Sequence, residues 1–152
     1  MSTAITHLST LYFSPITLKE HIIEFYSIAP KTNKNILLAY LILPLHFTPD
    51  AISFLRNAKS TSSLLTYTNN KKRLVGLQSK VNSMKDLTNQ CLQMSIDNED
   101  IIINEHLSVV LTQHKIDFFN KKKQNKEILS MVKILCNTDI LTVYKQLGIK
   151  NI

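Results

Sequence analysis

The chain has 152 residues with a formal net charge of +7; 44% are hydrophobic, 19% charged, and there are only two glycines and four prolines. This suits one domain, or one domain with a helical extension, and excludes a disordered chain and a many-turned sheet. The moderate positive charge fits a partner bearing phosphates or an acidic protein surface.

Residues 1–16 carry scattered apolar positions, Leu8, Leu11, Tyr12 and Phe13, and end at Ser14-Pro15, which reads as an arm leading into the first helix. Thr17, with Glu20 three residues on, is the expected N-cap of a helix in which Leu18, Ile22, Phe25 and Tyr26 keep helical spacing until Pro30. Residues 36–43 are apolar all round and predict a buried helix closed near Pro44, at the centre of the core. The run 36–45 is ten residues long, short of the roughly 20 that cross a bilayer. No leader-like pattern marks the N-terminus either, so no membrane partner and a cytoplasmic location are expected.

Thr48-Pro49-Asp50 opens a short helix through Ile52, Phe54 and Leu55, and Ser60, Thr61 and Ser62 offer caps for a helix carrying Leu64, Leu65 and Tyr67. The polar stretch 69–73 breaks the pattern before Leu74, Leu77 and Val81 resume it. Ser83 and Asp86 form an S-x-x-D capping box that predicts a new helix over 84–96. Asp97, Glu99 and Asp100 read as a solvated turn, after which the β-branched run 101–103 and the apolar run 107–111 predict a two-stranded hairpin.

Short helices followed by a hairpin is the order of a winged helix-turn-helix, with 84–96 in the place of the recognition helix and 101–111 as the wing. The expected fold is therefore mainly α: an N-terminal arm (1–16), a helical winged-helix-like domain with a small β-hairpin wing (17–111), a basic polar linker (112–127) and a C-terminal helical segment (128–152). In that last segment Ile128, Met131, Val132 and Leu135 share one helical face. Ile140, Leu141, Tyr144 and Leu147 share the next, which Gly148 stops. The second stripe must be buried somewhere, against the domain or against a partner, and its four residues are the candidate partner interface.

The search for chemistry returns little. The five histidines are spread widely with no pair on one helical face, so no metal site is expected. His21 reads as a solvated helix-surface residue and His46 as a helix C-terminal cap. Cys91 and Cys136 lie in apolar helical patterns and read as reduced core thiols. With glycine only at positions 76 and 148, neither phosphate-cradling motif can occur, and no G-x-S-x-G is present. No catalytic residue, cofactor or metal follows from the residues, and the chain is expected not to be an enzyme. Two basic clusters, Lys71, Lys72 and Arg73, then Lys121, Lys122, Lys123 and Lys126, are the candidate DNA-phosphate contacts. The proposed recognition helix carries Lys85, Asp86, Asn89, Gln90 and Gln93, polar enough to read bases but without arginine.

The stretch LLAYLILPLHFTPDAISFLRNAKSTSSLLTYTNN resembles the middle-component family of three-component ABC-ATPase systems, which includes the small subunit of Lamassu-type bacterial defence systems. The resemblance is carried by LILPL (residues 41–45), the Ser/Thr cluster 60–63, and N-N-K-K-R-L-V-G-L with Arg73, Val75 and Gly76. The ending Y-K-Q-L-G-I (144–149) extends it over residues 18–149, and the family's N-P-A element near the N-terminus has no counterpart here. The resemblance implies a non-catalytic adaptor bridging a coiled-coil ATPase of the structural-maintenance-of-chromosomes type and an effector, commonly a nuclease. DNA would be met through the complex, in defence against phage or plasmids. The alternative from the residues is a stand-alone winged-helix transcription regulator, which should dimerise on a palindromic duplex and carry arginines on its third helix. A small hydrolase or nuclease would need a catalytic cluster that the sequence does not display.

Overall fold

The computed structural model describes residues 3–5 and 13–152. Among these the chain is mainly helical, with one two-stranded antiparallel sheet. Residues 3–5 are helical and exposed. His7, Leu8, Leu11 and Tyr12 of the expected arm lie outside the described residues.

Helix α1 (Pro15–Ile28) starts three residues earlier than its sequence signal. Ser14, not Thr17, is the N-cap: its hydroxyl accepts from the Ile16 N–H at 3.3 Å, and Pro15 fills the first position, where no N–H is required. Thr17 donates its hydroxyl to the Ser14 carbonyl at 3.0 Å instead. The helix buries Ile22, Ile23 and Phe25 completely or nearly so. A 3-10 turn (Asn35–Leu38) then leads into α2 (Ala39–His46). As expected, α2 is central, with Leu41, Ile42 and Leu43 fully buried. It closes two residues past Pro44: the proline sits inside the helix, which runs on to His46 and ends where the Phe47 N–H reaches the Leu43 carbonyl.

Helix α3 (Pro49–Arg56) follows Thr48, with Pro49 at its first position. Helix α4 (Leu64–Thr68) is capped by Ser63 rather than by residues 60–62: the Ser63 hydroxyl accepts from the Thr66 N–H, and the Thr66 hydroxyl from the Ser63 N–H. A short 3-10 turn (Lys71–Arg73) leads to Gly76, whose φ of +73° is the left-handed geometry that glycine adopts without steric cost.

From there α5 (Leu77–Asp97) is one uninterrupted helix of 21 residues. The separate helix expected to begin at Met84 does not exist. Ser83 donates its hydroxyl to the Lys80 carbonyl at 3.0 Å, the local bond of a serine in a helix interior, so the S-x-x-D pattern does not cap anything. Helix α5 packs along α1 and α2, burying Val81, Thr88, Cys91, Leu92 and Ser95. Lys85, Asp86, Asn89, Gln90 and Gln93 remain on its exposed side.

Strands β1 (Ile101–Ile103) and β2 (Val109–Leu111) form the hairpin that the sequence predicts, with Ile101 opposite Leu111 and Ile103 opposite Val109. Its loop does not stand free. The Lys34 N–H donates to the His106 carbonyl at 2.8 Å and the Ile36 N–H to the Leu107 carbonyl at 3.2 Å. The Val109 N–H reaches Asn35 Oδ1 at 2.8 Å. The hairpin is thereby tied to the connection between α1 and α2.

The first half of the expected polar linker is helix α6 (Gln113–Lys121), with Ile116 and Phe119 packed against the core. Asn125 then caps α7 (Lys126–Leu135), which packs on α1 and α3. Asp139 caps α8 (Ile140–Gln146), which packs on α4 and on the 3-10 turn before α2. Among the described residues no single helix is long and apolar enough to cross a membrane. The apolar segment Asn35–His46 and its successor Pro49–Arg56 are bent by 101° and contribute side chains to the core.

Candidate functional site

An open groove of about 940 Å³ lies between α8, the residues after it, the end of α7 and the segment 30–38. Three of the four candidate interface residues, Ile140, Leu141 and Tyr144, line it. They do not contribute equally. Leu141 is 64% exposed and Ile140 partly buried, whereas the Tyr144 ring is buried and its hydroxyl donates to the Leu37 carbonyl. Burial pushes the Tyr144 phenol well above its ordinary range, so it stays a hydrogen-bond donor. Leu147 is 2% exposed, packs inward with Leu45, Leu55 and Met131, and is a core residue rather than a surface one.

The groove's outer wall depends on how α8 ends. Gly148 takes a φ of +74°, the Ile149 N–H bonds back to the Tyr144 carbonyl, and the Gly148 N–H to the Lys145 carbonyl. This is the Schellman arrangement, and it turns the chain so that Ile149 is buried. Gln78 of α5 then fixes the following residues, accepting from the Lys150 N–H at 2.7 Å and donating to the Asn151 carbonyl at 2.9 Å. The opposite wall, 30–38, is held by its bonds to the hairpin loop. Both walls are therefore anchored to the body of the fold.

Of the candidate phosphate contacts, Lys71, Lys72, Lys121, Lys122, Lys123 and Lys126 are exposed. Lys122 also lies 3.8 Å from the buried Glu24 carboxylate. Arg73 is differently placed: its guanidinium stacks on Phe54, 4.5 Å from the ring centroid, and Nη1 donates to the Thr66 and Tyr67 carbonyls at 3.3 and 3.1 Å. Those carbonyls lie at the end of α4, so Arg73 acts there as a C-terminal cap. The two basic clusters sit on separate elements, one between α4 and α5, the other spanning the end of α6 and the start of α7.

Tertiary structure assembles two groups that the sequence reading misses. Asp100, expected in a solvated turn, is 4% exposed and meets Lys19 at 2.9 Å, His114 at 3.2 Å and Lys115 at 3.9 Å. Lys115 and Lys19 also reach Glu20, at 2.9 and 3.1 Å. Burial favours the neutral acid, but the bonds from Lys19 and His114 outweigh it and hold the Asp100 carboxyl below its ordinary value. The network ties α1 to the turn before β1 and to α6. No spacing rule announces it, because Lys19 and Asp100 are 81 residues apart.

The second group is His21 and His46, whose rings lie against each other with centroids 4.2 Å apart and planes tilted by 35°. His21 is thus half-buried rather than solvated, and His46 packs on it in addition to ending α2. Burial lowers the pKa of both, with Lys122 adding to the effect on His21 and His21 to that on His46. Among the described residues no group of three or more His, Cys, Asp or Glu side chains is arranged to hold a metal ion. Cys91 and Cys136 are free thiols, each pushed up to about 11 by burial and hence protonated near neutral pH.

The family model described as ABC-three component (ABC-3C) system Middle Component 3 matches residues 2–151. The chain belongs to this family. This middle component's partners are accordingly sought among the other components of an ABC-3C system. The matched region takes in the helical body, the hairpin and every lining residue of the groove except Ile152. No curated protein and no solved structure matches the chain.

Proposed function

We propose that this middle component is a non-catalytic adaptor that bridges a coiled-coil ATPase of the structural-maintenance-of-chromosomes type and an effector, commonly a nuclease, in a Lamassu-type defence system. In this reading it helps to control release of the effector when the complex meets invading phage or plasmid DNA. The observation that carries the proposal is the family match over residues 2–151. The groove supports it, since an anchored concavity with Leu141 exposed suits a protein partner. The exposed lysines at 71, 72, 121, 122, 123 and 126 suit contact with the phosphates of DNA held by the complex.

The finer placement of residues 84–96, within α5, as recognition helix and of residues 101–111, the β1–β2 hairpin, as wing belongs to the same proposal. It is supported by their order and by the exposed polar face at Lys85, Asn89 and Gln93. The same face is the feature that favours a stand-alone winged-helix regulator as the alternative. Co-expression with the two other components, followed by purification on a tag carried by this chain, separates them. Recovery as a stable assembly with the ATPase and the effector is expected. Recovery of the chain alone as a dimer that shifts one specific duplex would overturn the adaptor reading.

A further inference from the structure

We infer that the groove beside α8 receives an amphipathic helix with acidic flanks, presented by another component of the system. The inference rests on the adaptor reading, because it requires a protein partner, and it goes further by specifying that partner's form and charge.

The form follows from what the walls offer. The lining is mainly apolar side chain, with Leu37, Ile140, Leu141 and Ile152 among the contributors. The β1–β2 hairpin contributes no residue to it, so the groove has no strand edge on which an extended peptide could pair. The Leu37 carbonyl accepts from Tyr144, and the carbonyls of Tyr144 and Lys145 at the end of α8 accept from Ile149 and Gly148. An extended segment laid here would bury N–H and C=O groups without partners, which proteins avoid. A helix brings its backbone already bonded and needs only an apolar stripe at i, i+3 or i+4, and i+7.

The charge follows from the rim. Lys34, Lys145 and Lys150 stand around the groove and are exposed, and none is within ion-pair distance of a carboxylate among the described residues. Among the described residues the one carboxylate side chain in the lining, Asp139, is engaged in capping α8, accepting from the Thr142 N–H at 3.1 Å and the Thr142 hydroxyl at 2.6 Å. The rim therefore favours Asp and Glu on the borders of the incoming stripe and opposes Lys and Arg.

The test uses the full chain co-expressed with the two other components. p-Benzoylphenylalanine in place of Leu141 is photolysed in the purified assembly and the adduct is mapped by mass spectrometry. In parallel, Leu141→Asp and the triple reversal Lys34→Glu, Lys145→Glu, Lys150→Glu are compared with wild type in affinity for the partner. All four positions are exposed, and thermal melting confirms that the variants fold. The adduct should fall in a partner segment with helical apolar spacing and flanking acids. Leu141→Asp should weaken binding by about tenfold or more, and the triple reversal should weaken it most at low salt. An adduct in a basic or non-amphipathic segment, an adduct on a lipid or other small molecule, or two variants that bind like wild type would each overturn the inference while leaving the adaptor reading intact. Failure of the wild-type chain to associate with either component would overturn both.

Discussion

The ammonium of Lys19 and the carboxylate of Asp100 lie 2.9 Å apart with both side chains almost buried, 10% and 6% exposed. This pair links the second turn of the body helix α1 to the turn between α5 and the hairpin. Removing one member of a buried pair costs about 3 to 5 kcal/mol where the other is left without a partner; Lys19 keeps Glu20 at 3.1 Å, which puts the loss of Asp100 toward the lower end of that range. Asp100→Asn should therefore lower the free energy of urea unfolding by that order. Lys19→Met combined with Asp100→Leu should cost much less than either single change, because no orphan charge remains. A loss below about 1 kcal/mol for Asp100→Asn would place the pair among ordinary surface bridges.

The same network and the histidine pair set how stability responds to pH. Folded-state values for His21 and His46 lie below the ordinary 6.5, mainly through burial. Below pH 6.5 the unfolded chain takes up protons that the folded chain resists, so stability present above that value falls as the solution is acidified. Glu20 and Asp100 are held below their ordinary 4.5 and 3.8, and their contribution is lost at lower pH still, as the folded carboxyls protonate. Chemical denaturation followed from about pH 7 to pH 5 should show a decline that the double change His21→Gln, His46→Gln flattens. An unchanged slope in the double variant would remove the histidine pair from this account.

Arg73 and its two lysine neighbours should separate cleanly. Arg73→Ala removes the stacking on Phe54 and the bonds to the end of α4, and should cost about 1 to 2 kcal/mol of stability. Lys71→Glu with Lys72→Glu should leave the melting temperature close to wild type. If these lysines meet phosphates within the assembly, the salt dependence of its DNA binding should fall by about one unit of log–log slope for each lysine–phosphate pair removed. A slope that does not change returns Lys71 and Lys72 to ordinary solvated surface.

Thr88 is fully buried in the face of α5 that packs on the core, and among the described residues its hydroxyl has no hydrogen-bond partner. Thr88→Val keeps the β-branched shape and removes the unmet polar group. It should raise stability by about 1 kcal/mol in thermal or urea unfolding. A destabilised valine variant would show that the hydroxyl is satisfied in solution.

Elements whose signals are local were legible in the sequence. The alternation to β-branched residues at 101–103 and the apolar run before 112 located the hairpin, because strand propensity and the preceding turn are written in neighbouring residues. Gly148 located the end of α8 for the same reason: only glycine takes that left-handed position without strain. The apolar run 36–43 announced the core helix, since a segment apolar on every side must be covered on every side.

What the sequence left open turned on the alternatives available to a side chain. Ser83-x-x-Asp86 looks like a cap wherever it stands, and only the continuity of α5 shows the serine bonding inside a helix. Thr17 is the expected cap of α1, and Pro15 at the first helical position moves the cap to Ser14. Ile140, Leu141, Tyr144 and Leu147 form one stripe in the sequence, yet packing buries Leu147, half-commits Tyr144 through its hydroxyl and leaves Leu141 outside. Asp100 was indistinguishable from its turn neighbours until α1 and α6 brought Lys19, His114 and Lys115 around it. Composition and periodicity determine which residues avoid water and where the chain turns. Which charges are paired, and which apolar side chains remain for a partner, depends on contacts between distant segments that only the assembled fold creates.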